Sequence, residues 1–151
     1  MIEIIIVIAG IILDQLSKNW MIQNMKYMSK VIIPGVLQYS YVENTGAAFG
    51  MLSKNTILLG CFSVVMSAVF IFFLVKYRKS LSMLSRISLA LIISGAIGNA
   101  IDRIMRGFVI DFIELLFVNF AIFNIADICI TMGAIFLGIS IIFIERHKAS
   151  S

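Results

Sequence analysis

The sequence predicts an α-helical integral membrane protein with four transmembrane helices, a small extracytoplasmic β-sheet and an interfacial segment. Three observations predict it. The 151 residues are 61% hydrophobic and only 13% charged, too little charge to cover a soluble domain of this size, and the mean hydropathy is +1.06. Apolar runs of membrane-crossing length recur along the chain, and basic residues crowd one short link between two of them. The length allows a single membrane domain, residues 1–151, and no separate soluble one. The net charge of +4 is modest, and no basic groove with interleaved aromatics is present, which excludes a nucleic-acid partner.

The first span covers about residues 2–22 and is interrupted by Asp14, Gln15 and Lys18. It begins with Glu3 rather than a basic run, and no small-x-small cleavage site follows, so it is expected to stay as a helix. The connection 23–56 contains Val31-Ile32-Ile33-Pro34-Gly35 and the alternating run Val36-Leu37-Gln38-Tyr39-Ser40-Tyr41-Val42, which read as short strands around a turn. It ends in Asn44-Thr45-Gly46-Ala47-Ala48-Phe49-Gly50, small residues whose backbone N–H groups can approach a ligand. The second span, 57–75, carries no charge. The link 76–86 holds Lys76, Arg78, Lys79 and Arg86 and is therefore expected in the cytoplasm, as are both termini; Arg146 and Lys148 agree. Lys18, Lys26 and Lys30, on the outer side of the first span, run against the rule. The third span, 87–101, is short. The connection 102–125 turns at Gly107 and continues through Phe108-Val109-Ile110-Asp111-Phe112-Ile113, apolar enough to lie along the interface and roof the helix ends. The fourth span is 126–144.

Carboxylates carry the chemical signal, because an acid at membrane depth is costly unless paired, protonated or hydrated. Arg86 to Asp102 is about 24 Å of helix, and Glu145 back to Asp127 about 27 Å, at roughly 1.5 Å per residue. Both acids thus reach a similar depth near the outer boundary of the hydrocarbon, and Asp14 lies in the same half. Asn99 precedes Asp102 by three residues, and Asn124 precedes Asp127 by three, so each acid has an amide on its own helix face able to hydrogen-bond it. Two carboxyl groups in a dry site can share a proton and activate a water, as aspartic peptidases do. Asp111, between Ile110 and Phe112, is expected to be pushed up by desolvation. Asp127, at the start of the fourth span, suits the positive end of a helix dipole. Asp102, four residues before Arg106, suits an anchoring pair. Asp111 with Asp127 is the pair that fits best, with Asp102 and Asp127 next; Asn124 could equally serve as a helix cap. Asp14, Asn44 and Arg103 are expected to line the same cavity. Cys61 and Cys129 fall inside apolar runs and the one histidine, His147, lies in the tail, so neither a zinc site nor a Cys–His or Ser–His pair is formed.

Five blocks in order resemble lipoprotein signal peptidase, the type II signal peptidase family of bacteria. They are Leu13-Asp14-Gln15-Leu16-Ser17-Lys18, then Asn44-Thr45-Gly46-Ala47-Ala48-Phe49, then Gly95-Ala96-Ile97-Gly98-Asn99-Ala100-Ile101-Asp102-Arg103, then Val109-Ile110-Asp111-Phe112, and last Phe123-Asn124-Ile125-Ala126-Asp127. The resemblance implies a four-helix aspartic endopeptidase of the bacterial cytoplasmic membrane with its site toward the outer leaflet. Such an enzyme cleaves signal peptides from prolipoproteins just before a diacylglyceryl-modified cysteine, amid membrane lipid, as a monomer and with no metal or organic cofactor. It maps the catalytic pair onto Asp111 and Asp127. It maps substrate-binding or supporting positions onto Asp14, Lys18, Asn44, Gly46, Asn99, Asp102, Arg103, Asn124 and Ala126. The rival reading is a small proton-coupled transporter, which requires acids spread through the membrane rather than gathered at one side.

Overall fold

The computed structural model describes residues 1–46 and 55–145; the small-residue run at 47–50, and Arg146, His147 and Lys148, lie outside the described residues. The order of elements is α1 (Ile2–Met25), β1 (Ser29–Ile33), β2 (Leu37–Asn44), α2 (Thr56–Tyr77), α3 (Met83–Arg106), β3 (Val109–Leu115) and α4 (Ile125–Ser140), the last running into a π-helical turn, Ile141–Glu145. Three of these helices, α2, α3 and α4, are long and apolar enough to cross a membrane. The fourth, α1, has 24 residues but carries Glu3, Asp14 and Lys18, all of them buried against the rest of the protein. Its exposed side chains include Ile4, Ile5, Ile8, Ile12, Leu13 and Leu16. The polarity is therefore inverted: charges face the bundle and hydrocarbon faces outward, the arrangement a lipid environment selects.

α3 is the central helix and packs against each of the other three. It is longer than its apolar run implies, starting at Met83 behind the Ser82 cap and ending at Arg106, where Gly107 takes a left-handed conformation (φ +80°). The hydropathy count stops at Asp102 because that residue is charged, but a buried, paired charge does not end a helix. Its inner face is built of small residues, among them Ser85, Ser88, Ala90, Ser94, Gly95, Gly98 and Ala100, which lets neighbouring backbones come close. A Cβ on Gly95 would stand 2.2 Å from the Ala126 carbonyl oxygen, and one on Gly133 would stand 2.7 Å from the Ser88 carbonyl oxygen. The α3–α4 contact is thus backbone against backbone.

The sheet has the order β1-β2-β3, antiparallel throughout. Pro34 and Gly35 make the turn between β1 and β2, with Gly35 at φ +71° and Val36 N–H donating to the Ile33 carbonyl at 3.0 Å. Proline followed by a residue of positive φ is the type II signature. The stretch 108–113, expected to lie along the interface and roof the helix ends, supplies most of β3: Leu37 faces Leu115 and Asn44 faces Val109 across the β2–β3 ladder. Its alternation is what a strand needs, and the unpaired edge of β2 offers it hydrogen bonds that an isolated interfacial strand would lack. Met21 and Met25 at the end of α1 join Tyr41, Ile110 and Phe112 of the sheet in one apolar cluster, fixing the sheet over the helix ends.

Gly95→Ala should push α3 from α4 and lower stability by about 1–3 kcal/mol, the usual cost of overpacking. Gly138→Ala, where a Cβ meets nothing within 4 Å, should stay within about 1 kcal/mol of the parent. Thermal unfolding of the two variants in the same detergent checks the contrast.

Candidate active site

Two acids arrive at one cleft from different kinds of element. Asp111 projects from β3, where its pairing partner is Val42. Asn44, two residues further along β2, is its diagonal neighbour on the same face, and Asn44 Nδ2 donates to Asp111 Oδ2 at 2.8 Å. Asp127 lies in the first turn of α4, whose cap is Asn124. Asn124 Oδ1 accepts from Asp127 N–H at 3.0 Å, and Asp127 Oδ2 accepts from Asn124 N–H at 3.2 Å. This reciprocal capping box satisfies two orphan donors of the helix start.

Asn124 also joins the two acids. With its oxygen held by the Asp127 amide, its Nδ2 is free to donate to Asp111 Oδ1 at 2.7 Å. A third amide serves the other carboxylate: Asn99 Nδ2 donates to Asp127 Oδ1 at 2.8 Å. The expectation that each acid is bonded by the side-chain amide three residues before it is met in neither case: Asn124 meets Asp127 through the capping box while its Nδ2 goes to Asp111, and Asn99 Nδ2 goes to Asp127 rather than Asp102. Asn99 reaches across to α4 because Asp102 is already filled by cations.

Those cations form a buried cluster beside the cleft. Lys18 Nζ is 2.8 Å from Asp14 Oδ2 and 2.9 Å from Asp102 Oδ2, and all three side chains are at most 1% exposed. Asp102 Oδ1 takes a close ion pair from Arg106 and a bond from Gln15 Nε2 at 3.2 Å, and Asp102 Oδ2 accepts from Ile110 N–H at 3.3 Å. The anchoring role expected of Asp102 toward Arg106 is what its contacts describe. Lys18 is not an outer loop charge at all, which removes it from the topology count. Asp14 does not line the cleft as expected. It lies beneath it, where its Oδ1 accepts from Ala126 N–H at 3.0 Å, and Gly98 is close enough that a Cβ there would meet Asp14 Oδ2 at 2.6 Å. Ala126 thus contributes its backbone N–H and its smallness.

The cleft has a volume of about 510 Å³ and is lined by Asn44, Asn99, Arg103, Asp111 and Asp127 among apolar side chains that include Val109, Phe120, Ile128 and Met132. Asn44 and Arg103 are where the sequence placed them. Arg103 Nη2 donates to the Gly46 carbonyl at 3.1 Å, and Gly46 N–H donates to Asn44 Oδ1 at 2.9 Å, so Gly46 ties the arginine to the amide that supports Asp111. Burial pushes the Asp111 carboxyl up to about 6; the Asn44 bond pulls against this, and the charge of nearby Asp127 adds to it. Two partners escaped the sequence reading. Gln15 bonds Asp14, Asp102 and the Gly98 carbonyl, and Asn19 accepts from Arg106 at 2.7 Å. The signal was present, since Asp14, Gln15, Lys18 and Asn19 fall on one side of a helix at spacings of four residues.

A bundle with helices long enough to cross a membrane, a small sheet over its end and a cleft holding two acids is the architecture also found in membrane enzymes. The chain is similar to a bacterial membrane enzyme solved in meso at 2.3 Å resolution, with a TM-score of 0.85 and 32% identity over 93% of this chain and 87% of that one. A second such structure, at 1.9 Å, gives 0.83 and 31% over 94% and 93%. Residues 6–143 match the model of signal peptidase II, and the chain belongs to that family. It is 37% identical to the lipoprotein signal peptidase of Clostridium acetobutylicum over 150 residues, covering 97% of each chain. It is 44% identical to that of Lactobacillus johnsonii over 146 residues, covering 95% of this chain and 93% of the relative.

An acid held at about 6 against an ordinary 3.8 keeps its proton in the folded state where the unfolded chain has lost it. The stability this group contributes is complete below about pH 4 and is lost as pH rises through about 6. Asp111→Asn, which cannot ionise, should therefore gain stability relative to the parent across that window. Thermal unfolding from acid to neutral pH measures it, and a difference of the opposite slope would count against the assignment.

Proposed function

We propose that the protein is an intramembrane aspartic endopeptidase that removes signal peptides from prolipoproteins, cleaving before the diacylglyceryl-modified cysteine, with Asp111 and Asp127 as its catalytic pair. The observation that carries the reading is the pair itself: two carboxylates joined through Asn124 and facing one otherwise apolar cleft. Asp111, buried on β3, is assigned as the member that carries the proton, the direction in which burial pushes its carboxyl. Asp127, at the start of α4, is the base. A water between them loses a proton to Asp127 as its oxygen attacks the scissile carbonyl carbon, and Asp111 donates to the carbonyl oxygen as charge develops there. Collapse of the tetrahedral species breaks the C–N bond, and the leaving amine takes the proton from Asp127. Asp102 fits the catalytic role less well, since both of its oxygens are filled by Lys18, Arg106, Gln15 and Ile110 N–H.

The apolar cleft wall formed by Val118, Phe120, Ile128 and Met132 suits the acyl chains of the substrate, whose binding energy, remote from the reacting bond, positions it. Arg103, with its buried Nε unpaired among the described residues, offers a donor to a substrate carbonyl. In this reading the chain is one membrane domain and acts as a monomer. α1 is a fourth transmembrane helix, the 76–86 link and both termini are cytoplasmic, and the cleft opens toward the outer leaflet. A proton-coupled transporter fits less well, because Leu74, Leu89 and Ile93, packed by Val7, Phe70, Ile97 and Leu137, make an apolar plug between the acids and the Glu3–Arg86 end.

Purified protein in lipid should cleave a diacylglyceryl-modified prolipoprotein and spare its unmodified twin. Asp111→Asn and Asp127→Asn should each reduce cleavage to background while leaving membrane insertion intact. Residual activity of Asp111→Asn within about tenfold of the parent, about 1.4 kcal/mol in barrier terms, would move the pairing to Asp102 and Asp127, and the same residual activity in Asp127→Asn would remove Asp127 from the pair.

A further inference from the structure

The three amides that support the acids share a design. An asparagine side chain can turn over, exchanging its oxygen for its NH₂, and each one here must present NH₂ to a carboxylate. Asn44 is held by Gly46 N–H on its oxygen, and Asn124 is held by Asp127 N–H. Both locks are backbone donors that no side-chain replacement removes. Asn99 has no backbone donor among its bonds. Its Oδ1 accepts from Lys18 Nζ at 2.9 Å and from Asn124 Nδ2 at 3.2 Å. The two N–H groups of the Asn124 amide go one to Asp111 at 2.7 Å and one to Asn99, and the shorter, charge-assisted bond from Lys18 is the stronger constraint on Asn99.

We propose that Lys18 is a positioning residue for the reaction: its ammonium locks the Asn99 amide so that Nδ2 faces Asp127 and fixes that carboxylate in the cleft. This rests on the assignment of Asp127 as the base. The ammonium has three protons and no acceptor, and its three partners here are Asp14 Oδ2, Asp102 Oδ2 and Asn99 Oδ1. An Asn99 turned the other way would set NH₂ against the buried NH₃⁺ of Lys18 and its oxygen against the Asp127 carboxylate, two repulsions at once. The charge of Lys18 therefore does more than neutralise Asp14 and Asp102. Without it, the amide can turn and Asp127 Oδ1 loses its donor, leaving the carboxylate held only through Oδ2 by Asn124 N–H, while substrate contacts in the cleft are untouched.

Removing Lys18 alone strands two buried acids, so the test uses Lys18→Met combined with Asp14→Asn, which leaves the Asp102–Arg106 pair balanced. The enzyme in lipid is given the diacylglyceryl-modified prolipoprotein. The expected result is a melting temperature near that of the parent, an unchanged KM and a kcat lower by about a hundredfold, the scale of a misplaced reacting group. In an Asn99→Ala background the same double change should cost little more, because the two residues act as one unit. Lys18→Gln with Asp14→Asn, which returns a donor without the charge, should recover part of the lost kcat. A folded Lys18→Met/Asp14→Asn enzyme with parental kcat overturns the proposal, and so do losses at Lys18 and Asn99 that multiply independently. Should the double variant not fold, Asn99→Asp decides: it keeps an acceptor for Lys18 but offers Asp127 no donor, and parental kcat there overturns the proposal equally. Asp127→Asn is assayed alongside. Activity in that variant would remove the catalytic assignment itself, whatever Lys18 does.

Discussion

One buried positive charge organises the end of the bundle where the cleft lies. An ammonium with no exposed surface cannot exist without partners, and Lys18 draws its partners from two helices: Asp14 from its own, Asp102 and Asn99 from α3. Asp14 then reaches the backbone of α4 through Ala126 N–H. Three helices are thereby joined by short polar contacts at one level. Packing against lipid cannot fix that level, since hydrocarbon tails do not discriminate between apolar neighbours. Directional bonds do, and the register of α1 against α3 and α4 follows from them. The glycines at 95, 98 and 133 are the steric counterpart, letting the helices approach until those bonds can form.

The acids were legible in the sequence for a physical reason: a carboxylate in an apolar run is too costly to be incidental, and Asp102, Asp111 and Asp127 stood out against it. The type II turn at Pro34-Gly35 and the cap at Asn124 were legible because their signals are local. Long-range choices were not. The sequence spacing joins Asn99 to Asp102, but which carboxylate an amide meets depends on what else has already claimed it, and the claimants, Lys18 and Arg106, come from other turns and another helix. Lys18 reads as an interfacial charge by composition alone, because nothing in a linear count tells a buried lysine from an exposed one. Asp14 was placed in the right cluster but on the wrong side of the cleft wall. The extent of α3 was underestimated because charged residues within it pair instead of ending it.

The two acids also differ in how they are carried. Asp111 rides on a strand of the sheet, and Asp127 rides on α4, a helix whose exposed side chains include Ile135 and Ile139. A bilayer thicker or thinner than the hydrophobic length of α4 would tilt the helix without tilting the sheet to the same degree. The spacing of the two carboxylates would then become a function of membrane thickness, with Asn124, bonded to both, as the tether that resists the change. Two acids on one helix would move together and be indifferent to the lipid around them. Dividing them between sheet and helix makes their spacing depend on how α4 sits against β3, and Asn124 is the contact they share.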